Sequence, residues 1–300
     1  MAENRSAGTD DFVALRPLLF SIAYRMTGSV ADAEDIVSES YLRLRRAQSG
    51  GTRIESLKTY LSSVVTRLSI DHLRSARMRR EAYFGPWLPE PLVESGSTPE
   101  FERVELADSL SMAFLVLLET LNPTERAVFL LREVFEFDYP QIAGIVDKSE
   151  TYCRQLMRRA RQHVDARKPR FDDSDQHGEL ATRFFEALED GNLDPLITML
   201  AADVVAYGDG GGNGPSLPRP VNGRDKVLRL LAAISNAARD FDLHFELVRI
   251  NGQPGALFVD ADRRLLNVVV LDILDGTIQA VRSVVNPDKL HHLGPLISAD

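Results

Sequence analysis

The sequence predicts a multidomain chain, all helical over its first half and α+β over its second. Three observations carry this. Apolar residues recur at helical spacing from Asp11 to about Arg80 and again from Asn122 to Val164. A proline-bearing stretch, Gly85 to Pro99, separates these two segments. Beyond Asp175 the pattern turns from helical to alternating, with Asn251-Gly252 and Asp275-Gly276 between apolar runs as hairpin-type turns. With 300 residues the chain can bury two or three separate cores.

The net charge of −9 is unevenly placed. Residues 1–170 hold 24 Lys/Arg and 24 Asp/Glu, whereas residues 171–300 hold 11 and 20. An anionic excess confined to the C-terminal part puts any nucleic-acid surface upstream of it. The one cysteine, Cys153, cannot form an internal disulfide, and neither it nor the His291-His292 pair has the companions a metal site needs. No apolar run has the length of a membrane span and the first ten residues are polar, so the expected location is the cytoplasm.

The first helix carries Phe12, Leu15, Leu18, Leu19, Ile22, Ala23 and Met26 and ends at Thr27-Gly28-Ser29. The second sets Ala33, Ile36, Val37, Tyr41 and Leu44 on one face and Asp32, Asp35 and Glu39 on another. After the Gln48 to Gly51 loop, a third helix opens at Ser56 and ends in Arg74, Arg77, Arg79 and Arg80. Residues 81–107 form the linker, expected to be extended, and it contains the only tryptophan, Trp87. Asn122-Pro123-Thr124-Glu125 is a helix start: a cap, a proline at the first position and a glutamate at the third.

Asp138 to Arg170 reads as a short helix, a tight turn at Val146 to Lys148 and a longer helix opened by Ser149. Ile142, Ile145, Tyr152 or Cys153, Leu156 and Met157 supply the seam between them. The other side is basic, as a helix entering the DNA major groove requires. Arg154, Gln155 and Arg158 are expected to read base edges, and Arg159, Arg161 and Lys168 to contact phosphates.

DAEDIVSESYLRLRR with LKTYLSSVVTRLSIDHLRSARMRR resembles region 2 of bacterial sigma factors of the extracytoplasmic-function type. NPTERAVFLLREVFEFDYPQIAGIVDKSETYCRQLMRRARQHV resembles region 4 of the same family, in the family's order. The resemblance implies residues 1–80 as a region 2 helical bundle and 108–170 as a region 4 helix-turn-helix. It also implies promoter DNA and core RNA polymerase, through its largest and second-largest subunits, as partners. Asp32, Asp35 and Glu39 would then dock on the polymerase, Arg154, Gln155, Arg158 and Arg159 would meet the minus-35 element, and Arg67, Arg74, Arg77 and Arg80 the minus-10 element. His72 is expected to be a neutral surface or packing residue.

The third segment, residues 171–300, opens with helices at Glu179 to Leu188, Leu193 to Leu200 and Arg224 to Ala238, then runs through four strands of an antiparallel sheet. FFEALEDGNLDPLITMLAADVVAYGDGGG resembles the start of the SnoaL-like α+β cone. Sigma factors with such an extension form a group, which this chain resembles in three places: Trp87-Leu88-Pro89-Glu90-Pro91-Leu92, Asp209-Gly210-Gly211-Gly212 and Asn286-Pro287-Asp288-Lys289-Leu290. The resemblance implies a regulatory interdomain role for these segments. Asn213 stands where the group commonly has a basic residue. The glycine run lacks the Lys-Ser/Thr of a phosphate loop. The expected protein is a sigma factor modulated in cis, with no cofactor and no catalysis of its own. The alternative is a sensor or enzyme tethered to a DNA-binding module, with a small-molecule ligand in the cone and Asp203, Asp209 or His244 as its acid or base.

Overall fold

The computed structural model describes residues 3–81, 83–94, 110–165, 176–212 and 217–297. They pack as two compact units. The first joins Met1–Glu81 to Leu117–Lys168; the second joins Ala82–Val116 to Pro169–Asp300.

In the first unit, α1 (Glu3–Thr27), α2 (Val30–Ser49) and α3 (Leu57–Glu81) form a bundle around Leu19, Ala23, Ala33, Leu44, Leu61 and Val65, each essentially inaccessible to solvent. The Ser29 hydroxyl caps α2 by accepting from the Asp32 N–H. A second helical group contains the end of α4 (Met112–Leu118), α5 (Pro123–Glu133), α6 (Tyr139–Val146) and α7 (Glu150–Asp165). Asn122 and Glu125 close the reciprocal cap expected for α5, with Pro123 at its first position. Asp138 and Gln141 close another on α6. Asp147 then takes a left-handed conformation (φ 54°), and the Ser149 hydroxyl accepts from the Tyr152 N–H as α7 begins. Cys153, Leu156, Met157, Ala160 and Val164 form the buried stripe of α7, so Cys153 and not Tyr152 packs in the seam.

The second unit is α+β, and its sheet corrects the expectation of a purely antiparallel one. Six strands, β1 (Leu200–Asp209), β2 (Val221–Asn222), β3 (His244–Ile250), β4 (Gln253–Val259), β5 (Leu265–Leu274) and β6 (Thr277–Val284), lie in the order β2-β1-β6-β5-β4-β3. β1 runs parallel to β6 and the other pairings are antiparallel. β1 and β2 lie outside the four strands that the alternating pattern predicts. The helix expected to reach Leu200 is the short α9 (Leu196–Met199), and the chain turns into β1 at once.

Both faces of the sheet are covered. Val204, Ala206, Ala256, Phe258, Val269, Leu271 and Val281 pack with α8 (Gln176–Asp190) and α10 (Arg224–Asp240), through Phe184, Phe185, Leu188, Val227 and Leu231. Val268, Val270 and Val284, which alternate with these along β5 and β6, pack with Leu88, Met112, Leu290 and Val93. The linker is therefore the covering layer of the second face. Val93 pairs with Ile250 as an isolated antiparallel bridge, extending the β3 edge by one residue. The linker is non-helical from Tyr83 to Glu94, as its prolines require; Ser95 to Pro99 lie outside the described residues.

Candidate functional sites on the linker and the helix-turn-helix

The three segments singled out in the second unit meet at Asp209. Its side chain, fully buried at the end of β1, accepts from the Leu88 N–H at 2.7 Å and from Lys289 Nζ at 2.7 Å. It also accepts the Tyr83 hydroxyl proton. Lys289 is buried as well and donates to the Leu88 carbonyl, with its ammonium 4.3 Å from the Trp87 ring centroid and 4.9 Å from that of Tyr83. A carboxylate and an ammonium withdrawn from water need such pairing to be tolerated at all. Burial and the adjacent carboxylate push the Tyr83 phenol well above its ordinary range.

Asn286 ties the loop shut. Its backbone N–H donates to the Asp209 carbonyl at 3.0 Å and its amide to the Tyr83 oxygen at 2.9 Å, while its side-chain oxygen accepts from Asp288 N–H. A 3-10 turn, Pro287–Lys289, then carries Lys289 inward and leaves Asp288 exposed. Gly211 (φ 61°) lies so close that a Cβ there would come within 2.3 Å of the Asn286 amide nitrogen. Gly210 is buried and Gly212 exposed beside it; Asn213 lies outside the described residues. Pro89, Glu90 and Pro91 are buried, and the Pro91 carbonyl accepts from His292 Nε2 at 2.8 Å.

A second anchor was read in the sequence only as a turn. Asn251 (φ 54°) exchanges two bonds with Leu92, accepting its N–H on Oδ1 and donating its own N–H to its carbonyl. Its Nδ2 also donates to the Leu110 carbonyl at 3.0 Å, so one side chain holds the chain on both sides of residues 95–109. Gln253 accepts the Met112 N–H at the start of α4 and donates to Asp272, itself paired to Arg282 at 2.8 Å under the Tyr207 ring. An Asn-Gly pair signals a hairpin, and nothing in its spacing signals that its side chain holds a distant carbonyl.

In the first unit the basic side of α7 is exposed: Arg154, Gln155, Arg158, Arg159 and Arg161 all face solvent. Lys168 and the side chains of Arg77 and Arg80 lie outside the described residues. Arg74 is exposed near Asp71, at 3.5 Å. Arg67 donates through Nε to the Ile145 carbonyl and through Nη2 to that of Gly144, each at 2.9 Å, placing a cation at the C-terminal end of α6. Arg126 donates to the Met26 carbonyl at 2.6 Å and pairs with Glu119 at 2.7 Å. Of the acidic residues on α2, Asp35 is exposed, Asp32 lies 3.1 Å from His72 Nε2, and Glu39 pairs with Arg43 at 3.0 Å and Arg46 at 3.7 Å.

The Sigma-70 region 2 profile matches residues 12–79 and the Sigma-70 region 4 profile residues 111–164. ECF RNA polymerase sigma factor SigJ of Mycobacterium tuberculosis is 37% identical over 289 residues, 93% of this chain and 92% of the relative. The chain belongs to the ECF sigma factors. Probable ECF RNA polymerase sigma factor SigI of the same organism is 34% identical over 284 residues, covering 93% of each chain. The crystal structure of the M. tuberculosis SigJ matches 94% of this chain and 98% of its own, with a TM-score of 0.75 and 33% identity. This ECF sigma factor thus has the two sigma regions that direct core polymerase to promoters and initiate transcription, followed by a SnoaL-like α+β domain. Sigma factors are not themselves enzymes. No helix among the described residues is long and apolar enough to cross a membrane.

Proposed function

We propose that the SnoaL-like domain regulates promoter-directed initiation in cis, by binding the linker between regions 2 and 4. One observation carries the reading: a single buried carboxylate, Asp209, is shared by the linker's Tyr83 and Leu88 and by Lys289. A factor that engages two promoter elements on one duplex needs a connection long enough to reach both, and tethering works only while the tether spans the sites. Docking Tyr83 to Glu94 and Leu110 to Met112 on the sheet removes those residues from the length that can extend. Asp209 is engaged in this ion pair on the linker side of the sheet, and Asp203 is exposed, which disfavours either as the acid or base of an enclosed reaction.

Under this reading Arg154, Gln155, Arg158 and Arg159 meet the minus-35 element, through base edges and phosphates. Arg74, Arg77 and Arg80 track the minus-10 strand, whereas Arg67 is engaged by the carbonyls of Gly144 and Ile145. Asp32, Asp35 and Glu39 dock on the largest polymerase subunit, Glu39 exchanging its surface pairs with Arg43 and Arg46 for the partner's cations at little net cost.

The test is reconstituted transcription from a cognate promoter with the full chain, with Lys289→Ala, and with chains ending at Arg170 or Leu290. Regulation in cis requires promoter output or polymerase binding to change on loss of the domain and on substitution of Lys289. Output unchanged by all three alterations would leave the ligand-sensor reading ahead.

A further inference from the structure

The exposed arginines of α7 are not equivalent. The Arg154 guanidinium lies 4.1 Å from the ring centroid of Tyr139, and its Nη2 is 3.7 Å from a Glu150 carboxylate oxygen. Tyr139 is the first residue of α6, half-buried, and the Arg132 guanidinium lies over the same ring at 5.3 Å. Arg161 is drawn to Glu133 of α5 at 2.6 Å. Among the described residues Arg158 and Arg159 have neither a ring nor a carboxylate against them.

We propose that Tyr139 is a positioning residue for promoter readout: its ring holds the Arg154 guanidinium in a set plane, so that Arg154 discriminates bases while Arg158 and Arg159 follow phosphates. A guanidinium reads a base edge through two parallel N–H bonds, which demands that its plane match the plane of the base. A long exposed side chain must otherwise surrender its rotamer freedom on binding, and one already held over a ring surrenders less. The edge that suits this fork is the O6/N7 edge of guanine. The two roles that the sequence left merged across Arg154 and Arg158 are thereby separated. The inference rests on α7 being the minus-35 recognition helix.

The experiment uses holoenzyme assembled from the full chain and core polymerase, with promoter duplexes varied one base pair at a time across the minus-35 element. Tyr139→Leu is expected to weaken binding to the cognate duplex by about twofold to fivefold. It should matter less on a duplex whose key guanine is replaced, and add no further loss in an Arg154→Ala background. Tyr139→Phe, which keeps the ring, should restore cognate binding, and the dependence on salt should be unaltered in both variants. The proposal is overturned by an equal loss on every duplex with a shallower salt dependence, by Phe proving as damaging as Leu, by losses that add to that of Arg154→Ala, or by no loss at all. If Arg154→Ala alone weakens all duplexes equally, the base-reading role of Arg154 fails, without reference to Tyr139.

Discussion

Asp209 and Lys289 are each held by more than their mutual charge, and the consequences of substituting either follow from burial. Asp209→Asn keeps the shape but turns one of the two acceptor oxygens into a donor NH2 and leaves Lys289 buried without a counter-charge, a change that costs about 3–5 kcal/mol when one partner of a buried pair is removed. The docked linker should yield first. Because Trp87 is the only tryptophan and lies against Lys289, its emission should shift to the red and become easier to quench in the variant; an unchanged spectrum would show that the carboxylate is dispensable for docking. The Tyr83 phenol, raised well above its ordinary range, supplies stability that is complete below about pH 10 and is lost as pH climbs toward its folded value. Replacing Tyr83 with Phe should flatten that part of an alkaline unfolding profile. The sequence displayed Trp87, Asp209 and Lys289 within three short segments but gave no signal for Tyr83, and their convergence on one carboxylate depends on β1 delivering Asp209 beside the end of β6. Nor did it display that Arg67, expected at the minus-10 element, would find carbonyls at the end of α6, or that His72 would lie against Asp32, since both pairings depend on helices meeting in space.

The elements that were legible are those whose ends are written in local chemistry. The caps at Asn122 and Ser149 and the turn before Ser149 all stand where their side chains require. β1 was not legible. It follows α9 without a loop, ends in a glycine run that reads as a turn, and pairs in parallel with a strand some seventy residues later. Parallel pairing leaves no hairpin signal to find. Within the sheet, Gly255 is constrained by space: a Cβ there would lie 2.4 Å from the Val269 carbonyl oxygen and 2.7 Å from Ile250 Cδ1. Gly255→Ala should therefore destabilise the second unit by about 1–3 kcal/mol, the usual range for an overpacked interior, and denaturant unfolding would reveal it. An unmoved midpoint would mean that β4 and β5 can part without loss.

At the scale of the whole molecule, the order of segments along the chain and their grouping in space differ. The linker lies between the two sigma regions in sequence, but its Leu88, like Met112 at the start of region 4, belongs to the core that includes Val268, Val270 and Val284. The chain ending at Arg170 retains every helix of the first unit and should still associate with core polymerase in gel filtration. Failure to associate would contradict the assignment of regions 2 and 4 as a self-sufficient polymerase-binding module. The same deletion leaves Leu88 and Val93 without the sheet they pack on, so the truncated chain should be stickier than the intact one, measurable as a rise in light scattering with concentration.

The grouping of Ala82–Val116 with Pro169–Asp300 also bears on how such factors could be recombined. A chimera joined at a single point near Arg170 would graft the sheet while leaving its covering strip behind, matched to a different domain. Exchange of a working C-terminal domain between two of these proteins calls for a double splice, one piece on each side of region 4. Descent should bear the same mark, with the linker varying in step with the domain at the far end of the chain and not with the helices that flank it.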